Sequence, residues 1–380
     1  MRVEQIYEIV NSLTQQYIGE SQVVQTDLSN VVDIGKSVMD LSRLDNYVRS
    51  LVDHIGKVVF VNRAYRGKTP SLYMDGWEYG AILEKITYDG LPEAQKNDSW
   101  DLQDGVSYDP NIFYKPTVSA KFFNSKNTFD IPMSFAERQV KSAFSSRTQL
   151  NAFFSMIENT IQKSMTVKMD QMSEQAINNM IALTIKSNNA NRAVNLLSRY
   201  NTQYGHSLTA ANAIYDADFV RYAAYVMGLY KERLQRLSQL FNEGGKERFT
   251  SGDKLHTILL SEFNEAAGVY LYSDTWHNEY VKLPKAETVP YWQGSGTGYD
   301  FTSTSSINII PNTGATTETA VSQSGILGVM FDREALGIFN LDQRVTTNYN
   351  GRAEFYNNWY KFDAGYFNDP NENFIVFYVA

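Results

Sequence analysis

Four histidines, no cysteine and two closely spaced carboxylate pairs bound what this chain could do chemically. Without cysteine there can be no disulfide, thiolate metal site or thiol nucleophile. His54, His206, His256 and His277 stand singly, and none is paired at the helical spacing that offers two imidazoles to a zinc ion. His256 and His277 could act as general bases, but neither has a nucleophile elbow or triad pattern beside it. Asp216 with Asp218, and Glu262 with Glu265, could form acid–base pairs. Each pair flanks a helical pattern, where an N-cap or a solvated face explains it at least as well. "QGSGTG" places glycines at 294, 296 and 298. A dinucleotide loop needs a strand before it and a helix after it. Here Pro290 precedes, and "YDFTSTSSIN", a poor helix former, follows. "DPNENF" opens like a calcium loop with Asp369, Asn371 and Asn373. Such a loop continues with Gly and closes on a Glu at its twelfth position. This chain offers Phe374 and Ala380 there, so a turn between two strands is expected instead. No catalytic, cofactor-binding or metal-binding residue is therefore expected, and the chain does not read as an enzyme.

With chemistry nearly absent, shape carries the reading. The start, "MRVEQIYEIVNSLTQQY", spaces Ile6, Ile9, Val10, Leu13 and Tyr17 as an amphipathic helix rather than as a signal peptide. "VVQTDLSNVVDIGKSVMD" follows as an irregular, extended arm. Strand-like alternation marks residues 78–88 and again 117–122, where Val118, Ala120 and Phe122 fall on one face. The stretch between them is polar and broken by Gly90, Pro92, Gly105 and Pro110, which predicts a long two-stranded β-arm with an irregular tip. Such a ribbon has too little hydrophobic face to stand alone and must lie on something.

From Met133 to Tyr204 there is no Gly or Pro. Leu150, Phe154, Ile157, Ile161, Met165, Met169, Met172, Ala176 and Met180 make a stripe in steps of three and four, which predicts one helix over 148–183. A shorter helical piece, "SFAERQVKSAF", precedes it. A second helical pattern covers 217–241 and stops at Gly244-Gly245. "KERLQR", at 231–236, is locally basic and reads as a solvated helix face. A short strand is expected at Ile307–Ile310, then strand, turn and short helix in "SQSGILGVMFDREALGIFN". Aromatic strands fill the remainder. The chain ends in "FIVFYV", a strand that would invite aggregation if left as an open edge.

The 380 residues are enough for two or three domains with a sizeable core. Apolar residues are 43% and charged residues 20%, which fits a globular chain. The 25 tyrosines and 21 phenylalanines suit interfaces, where a ring is buried and a hydroxyl finds a partner. A net charge of −8 argues against gripping nucleic acid by its phosphates. No segment approaches the length of a membrane span.

The order of these elements resembles that of tailed-bacteriophage major capsid proteins of the Hong Kong 97-type fold. "EYGAILEKITYDG" with "PTVSAKFF" is similar to that family's extended loop, and residues 145–180 to its spine helix. "GILGVMFDREALGI", "GRAEFYNNWYKFDAGYF" and "NDPNENFIVFYVA" are similar to its closing strands. The resemblance covers essentially the whole chain. It implies an α+β fold divided into an N-terminal arm (1–60), an extended β-loop region (61–132), a peripheral domain with the spine helix (133–187), an axial domain (188–340) and returning C-terminal strands closing both sheets (341–380). It implies a subunit that assembles with itself into pentamers and hexamers of an icosahedral or prolate shell around double-stranded DNA, held without sequence-specific binding. A separate scaffolding protein is implied, because the chain has no room for a fused one. A portal at one vertex is implied too, and assembly in the host cytoplasm. An encapsulin-like compartment shell and, in another class, a cytosolic enzyme using His256 and Glu262 are the alternatives. The family includes members that join a loop lysine to an asparagine, but nothing marks such a pair at Lys85, Lys96 or Lys115. Trp100, Tyr108, Phe113 and Tyr114, in the polar connection of the β-arm, are the expected interface anchors.

Overall fold

A computed structural model describes residues 3–17, 24–39, 50–51, 69, 72–74, 83–88, 90–94, 97–111, 113–115, 117–123, 126–272, 283–293, 305–312 and 318–380. In chain order the helices are α1 (Val3–Tyr17), α2 (Val31–Met39), α3 (Glu137–Ala143), α4 (Arg147–Lys186), α5 (Leu196–Tyr204), α6 (Ala210–Ala213), α7 (Ala217–Leu234) and α8 (Ser261–Tyr272). The strands are β1 (Tyr73–Met74), β2 (Leu83–Tyr88), β3 (Val118–Phe123), β4 (Lys126–Ala136), β5 (Ala193–Asn195), β6 (Leu255–Leu260) and β7 (Glu287–Val289). They continue as β8 (Ile307–Ile309), β9 (Val321–Gln323), β10 (Ile326–Asp332), β11 (Leu336–Asn350), β12 (Phe355–Asn368) and β13 (Phe374–Tyr378). The chain divides into two compact units. One comprises Met1–Gly80, Lys126–Ser173 and Ile338–Tyr366, and the other Ala81–Ser125, Glu174–Gly337 and Phe367–Ala380.

The first unit is built on a four-stranded sheet in the order β1-β11-β12-β4. Along β12 burial alternates strictly from Phe355 to Asp363, so one face of the strand is core. The N-terminal part of α4 lies on this sheet: the Phe153 ring stands 5.4 Å from Phe135 of β4, and the Lys168 ammonium 6.0 Å from the Phe129 ring. The helix runs unbroken over 40 residues, about 60 Å at 1.5 Å each. Ser146 caps its start, accepting the Gln149 N–H at 3.2 Å, and Asn188, at φ 49°, ends it in the left-handed conformation asparagine tolerates. Every residue of the stripe read from the sequence is buried. The helix is slightly longer than the 148–183 expected.

The second unit carries a five-stranded sheet, β5-β13-β10-β6-β7. The C-terminal strand β13 is paired on both edges, antiparallel to β10 (Met330 opposite Ile375) and parallel to β5 (Val194 opposite Phe377). No edge is left open, which answers the aggregation hazard posed by "FIVFYV". Tyr230 of α7 meets the Phe377 ring edge-on at 5.6 Å. Gly325, at φ 70°, lets the chain pass under Val379, whose N–H donates to the Gly325 carbonyl at 2.8 Å; a Cβ there would overlap the Val379 carbonyl oxygen.

Four sequence expectations are corrected. The segment 31–39 is helical, with Val31 and Ile34 buried, where an irregular arm was expected. Its Gly35 sits where a Cβ would come within 2.6 Å of the Phe144 Cβ, so a residue that weakens helix signal is required by close packing. Ser134–Ala136 extend β4, and the helical piece begins only at Glu137. Helix α7 stops at Leu234 rather than 241, because the Leu234 carbonyl is taken at 2.7 Å by the Thr250 N–H and residues 235–250 fold back through a Ser238–Arg248 bridge. "DREALG" forms a turn, Ala335 N–H to the Asp332 carbonyl at 2.8 Å, and then β11 rather than a short helix. The "QGSGTG" glycines, His54 and His277 lie outside the described residues, as does most of the arm 40–60.

Candidate interaction surface

The residues weighed for chemistry are placed in structural roles. Asp216 is the N-cap of α7, its Oδ1 accepting the Phe219 N–H at 2.8 Å, while Asp218 pairs with Arg221 at 3.0 Å in the first turn. His206 stacks on Tyr200 at 5.3 Å. His256 sits within β6, 6.0 Å from the Phe331 ring, and burial pushes its pKa below the ordinary value, so it stays neutral around pH 7. Glu262 lies in the first turn of α8. "DPNENF" is a turn, with the Asn371 N–H donating to the Asp369 Oδ1 at 3.2 Å. Among the described residues no three His, Asp or Glu side chains gather as a metal site.

What the chain does present is a ribbon. Strands β2 and β3 pair antiparallel over six rungs, with Glu84 opposite Phe122, Lys85 opposite Lys121, Ile86 opposite Ala120 and Thr87 opposite Ser119. Three apolar side chains face away from the chain: Ile86, Val118 and Phe122 are 67%, 59% and 60% exposed. The half-buried side is mainly polar, holding Lys85, Thr87, Ser119 and Lys121, with Phe123 at its end against the Phe367 ring at 5.3 Å. Lys85 donates to the Glu372 Oε1 at 2.6 Å and Lys121 to the Asp369 Oδ1 at 3.0 Å, so the polar face is tied to the β12–β13 turn.

The connection between the two strands holds its shape with local bonds. A 3-10 turn spans Asp98–Trp100, and the N–H groups of Ser99 and Asn111 donate to the side chains of Asn97 and Asp109, each at 2.8 Å. Gly90 and Gly105 turn it with φ of 98° and 84°. Trp100, Tyr108, Phe113 and Tyr114 all lie in this connection and all are exposed, Trp100 to 96% and Phe113 to 83%. Leu91, Leu102 and Val106 join them. This connection therefore carries a dense set of bare apolar side chains. Sequence reading named the four aromatics, which stand exposed, but did not single out the outer ribbon face. It also missed the acids that hold the ribbon: Asp369 and Glu372 had read only as turn residues. The signal that could have found them is the pair of lysines on the same face of two pairing strands.

Among the described residues no helix is long and apolar enough to cross a membrane. Comparison with known proteins places this architecture. No curated protein sequence matches the chain. Among solved structures, a chain from the capsid of Staphylococcus phage Andhra is similar over 84% of this chain and 86% of its own, at 9% identity and a TM-score of 0.51. A chain from the capsid of Cyanophage P-SCSP1u covers 84% and 90% at 12% identity and a TM-score of 0.46. The first shows a shared phage capsid fold, of the Hong Kong 97 type, despite negligible identity. Residues 6–378 match the family model described as Phi29-like phage major capsid protein. That match sets aside a compartment shell: the chain belongs to the Phi29-like phage major capsid protein family, a structural subunit of the virion shell.

Proposed function

We propose that the ribbon and its tip are the clamp by which one subunit holds the next in this shell. The observation that carries the reading is the bare apolar surface of the ribbon, Ile86, Val118 and Phe122 outward with Trp100, Phe113 and Tyr114 beyond them. Aromatics of this kind anchor interfaces when a partner excludes water around them. On this reading Trp100, Tyr108, Phe113 and Tyr114 are buried only in the assembled particle. Subunits gather as pentamers and hexamers, around a separate scaffolding protein and a portal vertex, to make an icosahedral or prolate shell. The shell encloses double-stranded DNA without sequence-specific contacts; a net charge of −8 suits a lining past which phosphates must slide. The work is assembly without catalysis, cofactor or metal. We also read 1–60 as arm, 61–132 as the extended loop region, 133–187 as peripheral and 188–340 as axial domain, with 341–380 returning through both sheets.

The test replaces residues 90–110 with a short Gly-Asn hairpin turn, then follows circular dichroism melting and particle formation side by side. A folded subunit that no longer closes shells is the expected outcome. Shells of unchanged stability, or a chain that fails to fold, would overturn the clamp.

A further inference from the structure

Lys85 and Lys121 occupy the same rung of the ribbon. Like charges directly opposite each other on an antiparallel pair are unfavourable. In this subunit an acid stands between them. Asp369 places Oδ2 3.1 Å from the Lys85 Nζ and Oδ1 3.0 Å from the Lys121 Nζ, one oxygen for each strand. Glu372 binds the Lys85 Nζ at 2.6 Å and accepts from the Arg248 Nε at 3.1 Å through the same Oε1. Glu334 lies 3.7 Å from Lys85 and 2.6 Å from Lys254. The two central carboxylates are almost fully buried, Asp369 3% and Glu372 7% exposed. A buried carboxylate left unpaired is strongly unfavourable, so these acids need the lysines as much as the lysines need them. A second tie lies farther along, where the Leu91 N–H donates to the Glu247 Oε2 at 2.8 Å.

We propose that this cluster is a latch that fixes the ribbon to its own subunit by its polar face and thereby sets the direction in which the tip leaves the body. Side chains alternate along a strand, so holding positions 85 and 121 inward turns positions 84, 86, 120 and 122 outward. The latch thus decides which face stays bare. A six-rung ribbon has too few contacts to keep one orientation by itself. An arm already oriented loses less conformational freedom on meeting a partner, which favours association. That purpose rests on the clamp reading above, but the latch is a property of the unassembled chain and is tested there.

The chain has no cysteine, so two introduced ones, Asp104→Cys at the tip and Glu232→Cys on α7, carry spin labels at known places. The distance between labels is measured by pulsed electron resonance in full-length, unassembled subunits. The doubly labelled parent gives a single narrow peak. Lys85→Met with Lys121→Met keeps the aliphatic stems and removes both charges; the narrow peak is lost to a broad distribution. Lys121→Met alone, at the more exposed end, broadens it partially and serves if the double variant does not fold. Arg344→Met, which breaks an ion pair with Asp363 in the other unit, leaves the peak unchanged. A broad distribution in the parent, or an unaltered narrow peak in both lysine variants, overturns the latch. Loss of the peak in the lysine variants with shells that still close counts against the clamp and leaves the latch standing.

Discussion

Strands β13 and β3 are of similar length, and both carry branched and aromatic side chains, yet the subunit treats them in opposite ways. Phe374, Ile375, Val376 and Phe377 are fully buried, with a strand on either edge and α7 across one face. Val118 and Phe122 stand in solvent, while the lysine of their strand is held against the body. Hydrophobicity alone does not separate the two. What separates them is which face has a partner within the chain: β13 closes the subunit's own core, and the outer face of β3 has none among the described residues. On the clamp we propose, the first is the core that makes the subunit fold and the second a surface completed only in the shell.

Removing the inner strand breaks this comparison most drastically. Deleting Phe374–Ala380 takes one strand out of the middle of the five-stranded sheet and opens the edges of β10 and β5. Insoluble protein is the expected outcome, read as the soluble fraction after expression. Normal soluble yield would mean that β13 is dispensable to the core. Next in size is Ile161→Asp on α4. Ile161 is fully buried in the stripe, so the variant places an unpaired charge in the core and should destabilise by about 4 kcal/mol or more. Denaturant unfolding of the subunit measures it; a loss below about 1 kcal/mol would contradict the burial, since changes that small belong to surfaces.

The contrast also explains what the sequence made legible. The α4 stripe could be read because a 3.6-residue period is local, and burial simply followed it. Both ribbon strands were visible from alternation, but not which face was inward. That depends on Glu372, 287 residues from Lys85 in the chain, and no local pattern reports such a partner. Helix α2 was hidden because Gly35 weakens the helical signal for the sake of Phe144. The end of α7 was misread because Leu237 and Phe241 continue its period, while Thr250 has already captured the Leu234 carbonyl. Tertiary contacts overrode local periodicity at each of these places. The exposure of Trp100, Tyr108, Phe113 and Tyr114 was legible for the opposite reason, since they are apolar residues among turn-formers with no element to bury them.

The outer ribbon face should show the reverse of the β13 result. Ile86→Ser with Phe122→Ser removes bare apolar area from the free subunit. Its unfolding free energy should change by no more than about 0.5 kcal/mol, as for ordinary surface changes. Closed particles, counted by electron microscopy, should nonetheless fall sharply. Equal loss of subunit stability and of particles would erase the distinction between the two strands.

The smallest effect concerns acid and sharpens the inner side of the ribbon. Burial acts to raise the Asp369 pKa, but the Lys85 and Lys121 ammonium groups and their hydrogen bonds outweigh it, so the carboxyl titrates below its ordinary value of 3.8. A carboxylate whose pKa is lower folded than unfolded adds stability that is fully present above the unfolded value. That stability is lost as pH falls through the folded one. Asp369→Asn removes this linkage while keeping the shape. The stability gap between parent and variant should therefore be constant from about pH 7 down to about pH 5, and should close below about pH 4 as the parent's carboxylate takes up its proton. Urea midpoints at a series of pH values measure it. A gap that persists unchanged to pH 3, or one that instead opens as acid is added, would mean that the lysines do not hold Asp369 in its charged form, and that the polar face of the ribbon is attached by something other than charge.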